Sequence, residues 1–320
     1  MKGKHVLRIQ SAYLRFDMEF IRNITIIQGD SATGKTTLVD MIQEYLLNGS
    51  DTGINLYCDC PCRVIAGNTW KEQLSGIEDS IVFIDEGNRF VASEDFAKIV
   101  RGSGNYYVIV TRESLDNLPY SVTEIYGIKS SGKYGSLEPV YHEMYRIYGQ
   151  EELRPADSQT FLIEDSNSGY DFFNGIVEER GINCISANGA GNIFGLLQEL
   201  KGHITVIADG AAFGSQMGRV YRLMQRNSGI RLYLPESFEW IILSSGVLDD
   251  NEIRKILERP YEYIDSRDYF SWEQYFTSLL VEKSRGTWLQ YTKEKLNPVY
   301  LKGKCRNQII EVLPKELGMK

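Results

Sequence analysis

The stretch Gly29-Asp30-Ser31-Ala32-Thr33-Gly34-Lys35-Thr36 decides the fold of the first part of this chain. The apolar run Ile24-Thr25-Ile26-Ile27 precedes it and predicts a buried strand. Residues 37–47 follow it with helical spacing, and Gly49 closes that segment. The glycines of the loop let successive backbone N–H groups turn toward one point at the positive end of the helix. The sequence therefore predicts a strand–loop–helix unit that binds an anion.

The spacing of this loop fits G-x-x-x-x-G-K-[ST], the phosphate-binding motif. In that motif Lys35 reaches the β- and γ-phosphates of a nucleotide, and the Thr36 hydroxyl ligates Mg²⁺. ATP and Mg²⁺ are therefore the expected ligands. The expected nucleotide-binding residues are Gly29, Asp30, Ser31, Ala32, Thr33, Gly34, Lys35, Thr36 and Thr37.

Charged residues follow two further apolar runs. Residues 80–84 predict a strand buried on both faces, and Asp85 and Glu86 come directly after it. Asp85 is placed to hold Mg²⁺, and Glu86 is placed to polarise an attacking water. Residues 106–110 predict a third strand, after which Arg112 either carries transition-state charge or is a solvated surface residue. The predicted catalytic residues are Glu86, Lys35 and Arg112.

These motifs resemble the P-loop ATPases that carry a catalytic glutamate, over roughly the first 150 residues, a normal size for one domain. The opening strands look like those of the ABC/SMC and OLD-type proteins. The LSGGQ-type signature of those families has no counterpart here except Leu74-Ser75-Gly76, which lies only a few residues before the predicted strand that precedes Asp85. We predict a turn there, after a helix that begins with the capping box Thr69-x-x-Glu72. A sandwich dimer of the ABC type is therefore not implied.

Composition narrows the class of protein. A chain of 320 residues accommodates two modest domains, and a net charge of −8 argues against indiscriminate, charge-driven binding of nucleic acid. No apolar stretch is long enough to span a bilayer, so no membrane partner is expected. The five cysteines, an odd number, and a start without a signal-peptide pattern favour reduced thiols and a cytoplasmic localisation.

Three of the cysteines form the run Cys58-Asp59-Cys60-Pro61-Cys62, which admits two interpretations. Alternate spacing would place three thiols on one strand face, where they could meet one metal ion. No second CxxC or histidine pair completes a tetrahedral site, since His5, His142 and His203 are isolated in the sequence. We therefore expect small buried side chains that pack against the helix after the phosphate loop.

A polar stretch from Gly149 to Asp157 predicts a linker between domains at 1–153 and 158–320. Just before it, residues 129–136 are rich in glycine and serine and predict a hairpin or loop. Beyond the linker, predicted strands at 160–163, 182–186, 203–208 and 231–234 alternate with helices. The predicted fold class is therefore α/β, a P-loop domain with a parallel sheet followed by a smaller parallel α/β domain and a helical C-terminus.

Carboxylates end the strands of this second domain. Glu164 follows the first strand and Asp209 the third, while the turn Gly189-Ala190-Gly191-Asn192 follows the second. This pattern resembles a TOPRIM domain, in which a glutamate and an Asp-x-Asp pair hold Mg²⁺ for phosphodiester chemistry. Ala211 replaces the second aspartate, so Glu236 or Glu239 is the candidate for the missing ligand. The predicted metal ligands of the chain are Thr36, Asp85, Glu164, Asp209 and Glu239.

The combination resembles the OLD-type ATPase–nucleases and implies a role in phage defence. We expect an ATP-hydrolysing enzyme whose nucleotide state controls a TOPRIM-like, Mg²⁺-dependent nuclease acting on nucleic acid. The alternative is an ATP-dependent switch or scaffold whose inactive second domain binds a protein partner or a second copy of the chain. A small-molecule kinase is a weaker hypothesis, because we find no arginine-rich lid in the sequence.

Overall fold

The computed structural model describes residues 1–29, 33–130, 140–149 and 159–320. The chain divides into two compact units, Met1–Gly149 with Arg259–Phe270, and Gln150–Glu258 with Ser271–Lys320. The predicted linker after Gly149 and residues 131–136 of the predicted loop lie outside the described residues. Within the described ranges, no helix has the length and apolar character that crossing a bilayer requires.

The segment Arg259–Phe270 lies in the first unit, although the sequence pattern placed it in a second domain at 158–320. Contacts with the chain start account for this position. The Met1 ammonium donates to Asp265 Oδ1 at 2.7 Å, and the Gly3 N–H donates to the Tyr261 carbonyl at 2.7 Å. The first unit is therefore discontinuous in sequence.

A sheet of nine described strands and three helices form the first unit. The elements are β1 (His5–Gln10), β2 (Leu14–Phe20), β3 (Ile24–Ile27), α1 (Lys35–Asn48), β4 (Asn55–Cys58), β5 (Cys62–Val64), α2 (Trp70–Leu74), β6 (Ile81–Ile84), α3 (Glu94–Val100), β7 (Tyr106–Val110), β8 (Ile125–Ser130) and β9 (Val140–Arg146). The parallel strands follow the order β8-β3-β7-β6-β5, and β1 pairs antiparallel with β4 on one side and with β2 on the other. Strand β9 joins the two parts, parallel to β2 and antiparallel to β8.

This sheet is strongly curved. Its outermost strands, β4 and β5, are joined by only three residues, 59–61. Laid flat, nine strands would span about 38 Å, whereas four residue steps of chain reach about 14 Å. The two edges therefore come together around α1, which contacts both. The buried residues Leu38 and Ile42 of α1 lie in one hydrophobic cluster with Phe16 of β2 and Phe83 of β6.

Helix α2 ends at Leu74, the first residue of the predicted turn, and residues 75–76 form a turn. Its capping differs from the prediction, because the Thr69 side chain does not cap the helix N-terminus. The Thr69 hydroxyl instead accepts a hydrogen bond from Gln73 Nε2 at 2.9 Å. The capping box was therefore wrong, although the helix it was meant to start is present.

The second unit has a parallel sheet and a helical C-terminal part. The elements are β10 (Thr160–Ile163), α4 (Ser168–Glu178), β11 (Asn183–Ser186), α5 (Ala190–Glu199), β12 (Ile204–Ile207), α6 (Gly214–Met224), β13 (Ile230–Tyr233), α7 (Phe238–Ser244), α8 (Asn251–Glu258), α9 (Trp272–Ser284) and α10 (Gly303–Val312). The strand order is β11-β10-β12-β13, and the two central strands, β10 and β12, precede Glu164 and Asp209. The α/β class is confirmed for both units.

Candidate nucleotide and metal sites

Strand order places the motifs of the first unit at the carboxyl ends of neighbouring parallel strands. Strand β7 lies between β3, which leads into the phosphate loop, and β6, which leads into Asp85 and Glu86. The ends of β3 and β6 are thus two strand spacings, about 10 Å, apart, a distance that the loop after β3 can cross. Ligands of parallel sheets bind beyond the carboxyl ends of the strands. Arg112 follows β7, so it lies between the two motifs.

The described part of the phosphate loop turns through two glycines with positive φ, +128° at Gly29 and +92° at Gly34. Lys35 opens α1 and is buried, and its Nζ donates to the Gly29 carbonyl at 2.8 Å and to Thr33 Oγ1 at 3.0 Å. Thr37 is the third residue of the same helix. The other predicted nucleotide-binding residues, Asp30, Ser31 and Ala32, lie outside the described residues.

Thr36 and Asp85 meet although they belong to different motifs. Thr36 lies near enough to Asp85 to lower the pKa of that carboxyl, so a hydroxyl and a carboxylate come close together at the start of α1. Burial raises the pKa of Asp85 above its usual range, and the charges of Asp40 and Glu86 add to the effect. Within the described residues, Asp85 Oδ1 is buried without a hydrogen-bond partner. Hydroxyl and carboxylate oxygens of this kind suit Mg²⁺.

Glu86 lies near the same strand ends, on the side that is open to solvent. Its Oε1 is 2.7 Å from Arg112 Nε, and the two side chains are 36 % and 54 % exposed. The predicted general base and the predicted transition-state arginine are therefore paired with each other.

His142 is a neighbour of the phosphate loop that the sequence did not indicate. It is 2 % exposed on β9 and stacks on Phe16 with ring centroids 4.4 Å apart. Burial lowers its pKa. A Cβ atom at Gly34 would lie 3.1 Å from His142 Cε1. Buried Val140 and buried His142 lie on one face of β9, and exposed Tyr141 lies on the other.

In the second unit, Glu164 and Asp209 lie side by side at the ends of the central strands. The Asp209 N–H donates to Glu164 Oε2 at 2.9 Å, and Asp209 Oδ1 accepts from the Phe238 N–H at 3.2 Å. Burial raises the pKa of Glu164 to about 7 and that of Asp209 well above its usual range. The glycine turn supports the pair, since the Gly189 N–H donates to the Glu164 carbonyl at 2.8 Å.

Glu239 is near this pair but is engaged elsewhere. It is 2 % exposed, and its Oε1 accepts a hydrogen bond from the Tyr291 hydroxyl at 2.8 Å. In the described part of the chain, the ligand atoms of Glu164, Asp209 and Glu239 do not all come within 4.8 Å of one another. The three predicted ligands are thus neighbours without forming a compact metal cluster.

Two charged residues that the sequence analysis missed complete this acidic region. Glu273 of α9 forms an ion pair with Lys293, and the Glu273 charge is the largest charge effect raising the pKa of Asp209. The Lys293 charge acts in the opposite direction on both Glu164 and Asp209. Ala211, where the resemblance implied a carboxylate, is buried. Neither Glu273 nor Lys293 follows a strand, so no motif indicated them.

The cysteine run differs from the expectation in part. Cys62 is buried in the core around α1, as expected, but Cys58 and Cys60 are only partly buried. His5, which is isolated in the sequence, comes close to the run, with its Nδ1 3.0 Å from Asp59 Oδ2.

No protein-family model and no curated protein matches this sequence. The functional assignment therefore depends on the geometry of the chain's own residues.

Proposed function

We propose that the first unit binds and hydrolyses ATP. The observation that carries this proposal is the closeness of Thr36, at the end of the phosphate-loop motif, to Asp85, which follows β6. The two residues are far apart in sequence, and the ATPase resemblance implies that both serve the same Mg²⁺. Their closeness supports a single site for the phosphates of a nucleotide.

The residues at this site fit Mg²⁺. Thr36 and Asp85 would hold it, and the buried Asp85 Oδ1 offers an acceptor that no described hydrogen bond uses. When bound, Mg²⁺ would neutralise charge on the β- and γ-phosphate oxygens.

The chain's own residues have distinct roles in this mechanism. The Lys35 ammonium, held by the loop carbonyl of Gly29, is placed to bind the phosphates. The Glu86 carboxylate orients the attacking water and accepts its proton. Arg112 is near enough to Glu86 to exchange that partner for a phosphate oxygen, where it would stabilise transition-state charge.

The proposal is tested by ATP turnover of the purified chain with Mg²⁺, beside Lys35→Ala. We expect the substitution to lower kcat/KM at least about 100-fold, the loss typical of a preorganised charged donor. Lys71→Ala is the matched control, since Lys71 is an exposed lysine of the same unit in an ion pair with Asp95. Turnover that survives Lys35→Ala would overturn the proposal.

For the second unit, we propose a switch or partner-binding role in preference to a nuclease. Lys293 supplies positive charge to the carboxylates Glu164, Asp209 and Glu273. The presence of this cation within the chain favours a cluster whose charge is offset by Lys293 over a cluster that binds metal ions. Two-metal cleavage requires two ions held close together by several carboxylates. A role in phage defence stays a prediction from the resemblance.

Cleavage of single- and double-stranded DNA and RNA with Mg²⁺ or Mn²⁺, with and without ATP, decides between these roles. We expect no cleavage by a preparation that hydrolyses ATP. Cleavage that disappears in Asp209→Ala would establish a nuclease and contradict the switch proposal.

A further inference from the structure

The cysteine run lies where the two edges of the first unit's sheet meet. Cys58 is the last residue of β4 and Cys62 the first residue of β5. Strand β4 pairs with β1, which brings Cys58 opposite Leu7 and so places the run beside His5. The pairing of β1 with β4 and the short connection between β4 and β5 bring these side chains together.

Three donor atoms, from His5, Asp59 and Cys60, come together beside the end of β4, and Cys58 lies next to two of these residues. The sulfurs of Cys58 and Cys60 are 3.8 Å apart, and Cys58 Sγ is 3.9 Å from Asp59 Oδ1. The ligand atoms of His5, Asp59 and Cys60 all lie within 4.8 Å of one another. Two sulfurs bound to one tetrahedral zinc at about 2.3 Å are themselves about 3.8 Å apart. The observed sulfur separation thus equals that of two ligands of one ion.

The two nitrogens of His5 have different partners. Nε2 is 3.2 Å from the Lys2 carbonyl, and Nδ1 is 3.0 Å from Asp59 Oδ2. Nδ1 is therefore the nitrogen that faces the other donor atoms. A histidine that ligates through one nitrogen and donates to a backbone carbonyl through the other is typical of metal sites.

We propose that Cys58, Cys60, His5 and Asp59 form a binding site for a thiophilic, four-coordinate divalent cation, with Zn²⁺ as the best fit. Two thiolates, an imidazole and a carboxylate are ligands that zinc accepts, and thiolates disfavour Mg²⁺ and Ca²⁺. The bound ion would join the end of β4, the connection to β5 and the start of β1. The site is distinct from the phosphate loop, and its existence does not depend on ATP hydrolysis.

The test is titration of the reduced full-length chain with Co²⁺, followed by its displacement with Zn²⁺. We expect one equivalent of Co²⁺ to give thiolate charge-transfer absorption and tetrahedral ligand-field bands, and Zn²⁺ to abolish both. Zn²⁺ should also raise the melting temperature. Cys60→Ser should weaken the sulfur-dependent absorption, whereas Cys305→Ser, which changes a buried cysteine of the second unit, should retain it in full.

Two further variants keep the proposal falsifiable if Cys60→Ser does not fold. His5→Gln should weaken Co²⁺ binding at least about tenfold, since even the loss of a residue that hydrogen-bonds to a ligand costs that much in metal affinity. Lys35→Ala should leave it unchanged. Absence of thiolate–Co²⁺ absorption in the folded, reduced chain, or full binding by both Cys60→Ser and His5→Gln, would overturn the proposal.

Discussion

Arg112 and Glu86 form an ion pair at the ends of the neighbouring strands β7 and β6, with 2.7 Å between Nε and Oε1. Both side chains are open to solvent, and exposed pairs of this kind contribute only about 0–1 kcal/mol to stability. The pair can therefore open at little cost when a phosphate group competes for the arginine.

Arg112→Ala is predicted to lower kcat for ATP hydrolysis at least about 100-fold with little change in melting temperature, because the arginine acts on transition-state charge. Steady-state kinetics and thermal unfolding check this. Arg8→Ala is the control, since Arg8 forms a comparably exposed pair with Asp17 in the same unit. An unchanged or increased kcat would mean that Arg112 only restrains Glu86.

Gly34→Ala is predicted to destabilise the chain by about 1–2 kcal/mol, the cost of a left-handed backbone at a residue with a side chain. Gly34 has φ +92°, and the added Cβ would lie 3.1 Å from His142 Cε1. Gly195→Ala in α5 is the matched control, because a Cβ there meets nothing within 4 Å and alanine favours the helix. Denaturant unfolding measures both; equal stability of the two variants would contradict the account of the loop.

Much of this geometry could be predicted from local sequence. The strand–loop–helix unit follows from apolar runs and glycines, and β3 and β6 are buried at every residue as their composition indicated. Glu164 and Asp209 could be expected to lie near each other, because parallel strands joined by right-handed crossovers have their carboxyl ends on the same side of the sheet. Their direct contact confirms that part of the pattern.

Contacts that depend on register and sheet curvature could not be predicted. His5 comes close to Cys60 only because β1 pairs with β4 and the two sheet edges converge. Glu273 and Lys293 come from the helical region after the sheet, where no spacing marks a charged residue as inward-facing. The return of Arg259–Phe270 to the first unit likewise depends on tertiary contacts such as that of Asp265 with Met1.

The stability of the chain should fall as pH rises from about 4.5 to about 7, through the titration of Glu164. Burial and the Glu273 charge raise its folded-state pKa to about 7 from an ordinary value of 4.5, against the opposing charge of Lys293. A group with a raised pKa stabilises the folded state fully below its unfolded pKa and loses that contribution as pH passes its folded pKa.

Glu164→Gln should therefore be more stable than the parent chain at pH 8 and about equal to it at pH 4. The glutamine oxygen can still accept the hydrogen bond from the Asp209 N–H. Thermal unfolding of both proteins across this pH range is the measurement. Parallel profiles would show that Glu164 does not titrate in this window.

Lys293→Met should destabilise the second unit by roughly 1–3 kcal/mol, the cost of leaving a buried polar group without its partner, because it removes the cation beside the buried carboxylates. The same variant should gain stability from millimolar Mg²⁺ or Mn²⁺, whereas the parent chain and the exposed-lysine control Lys295→Met should not. Melting temperatures with and without the ion measure this. A parent chain stabilised as strongly as Lys293→Met would indicate that the acidic cluster already binds metal.

The central claim is that one site in the first unit binds ATP through the phosphate loop and hydrolyses it with Glu86. Its most direct test is Glu86→Gln, with ATP affinity and single-turnover hydrolysis measured on the same preparation in Mg²⁺. We predict that the variant binds ATP as tightly as the parent chain and hydrolyses it about 100- to 10,000-fold more slowly, the range for loss of a general base. Hydrolysis at the parent rate, or no ATP binding by either protein, would contradict the account.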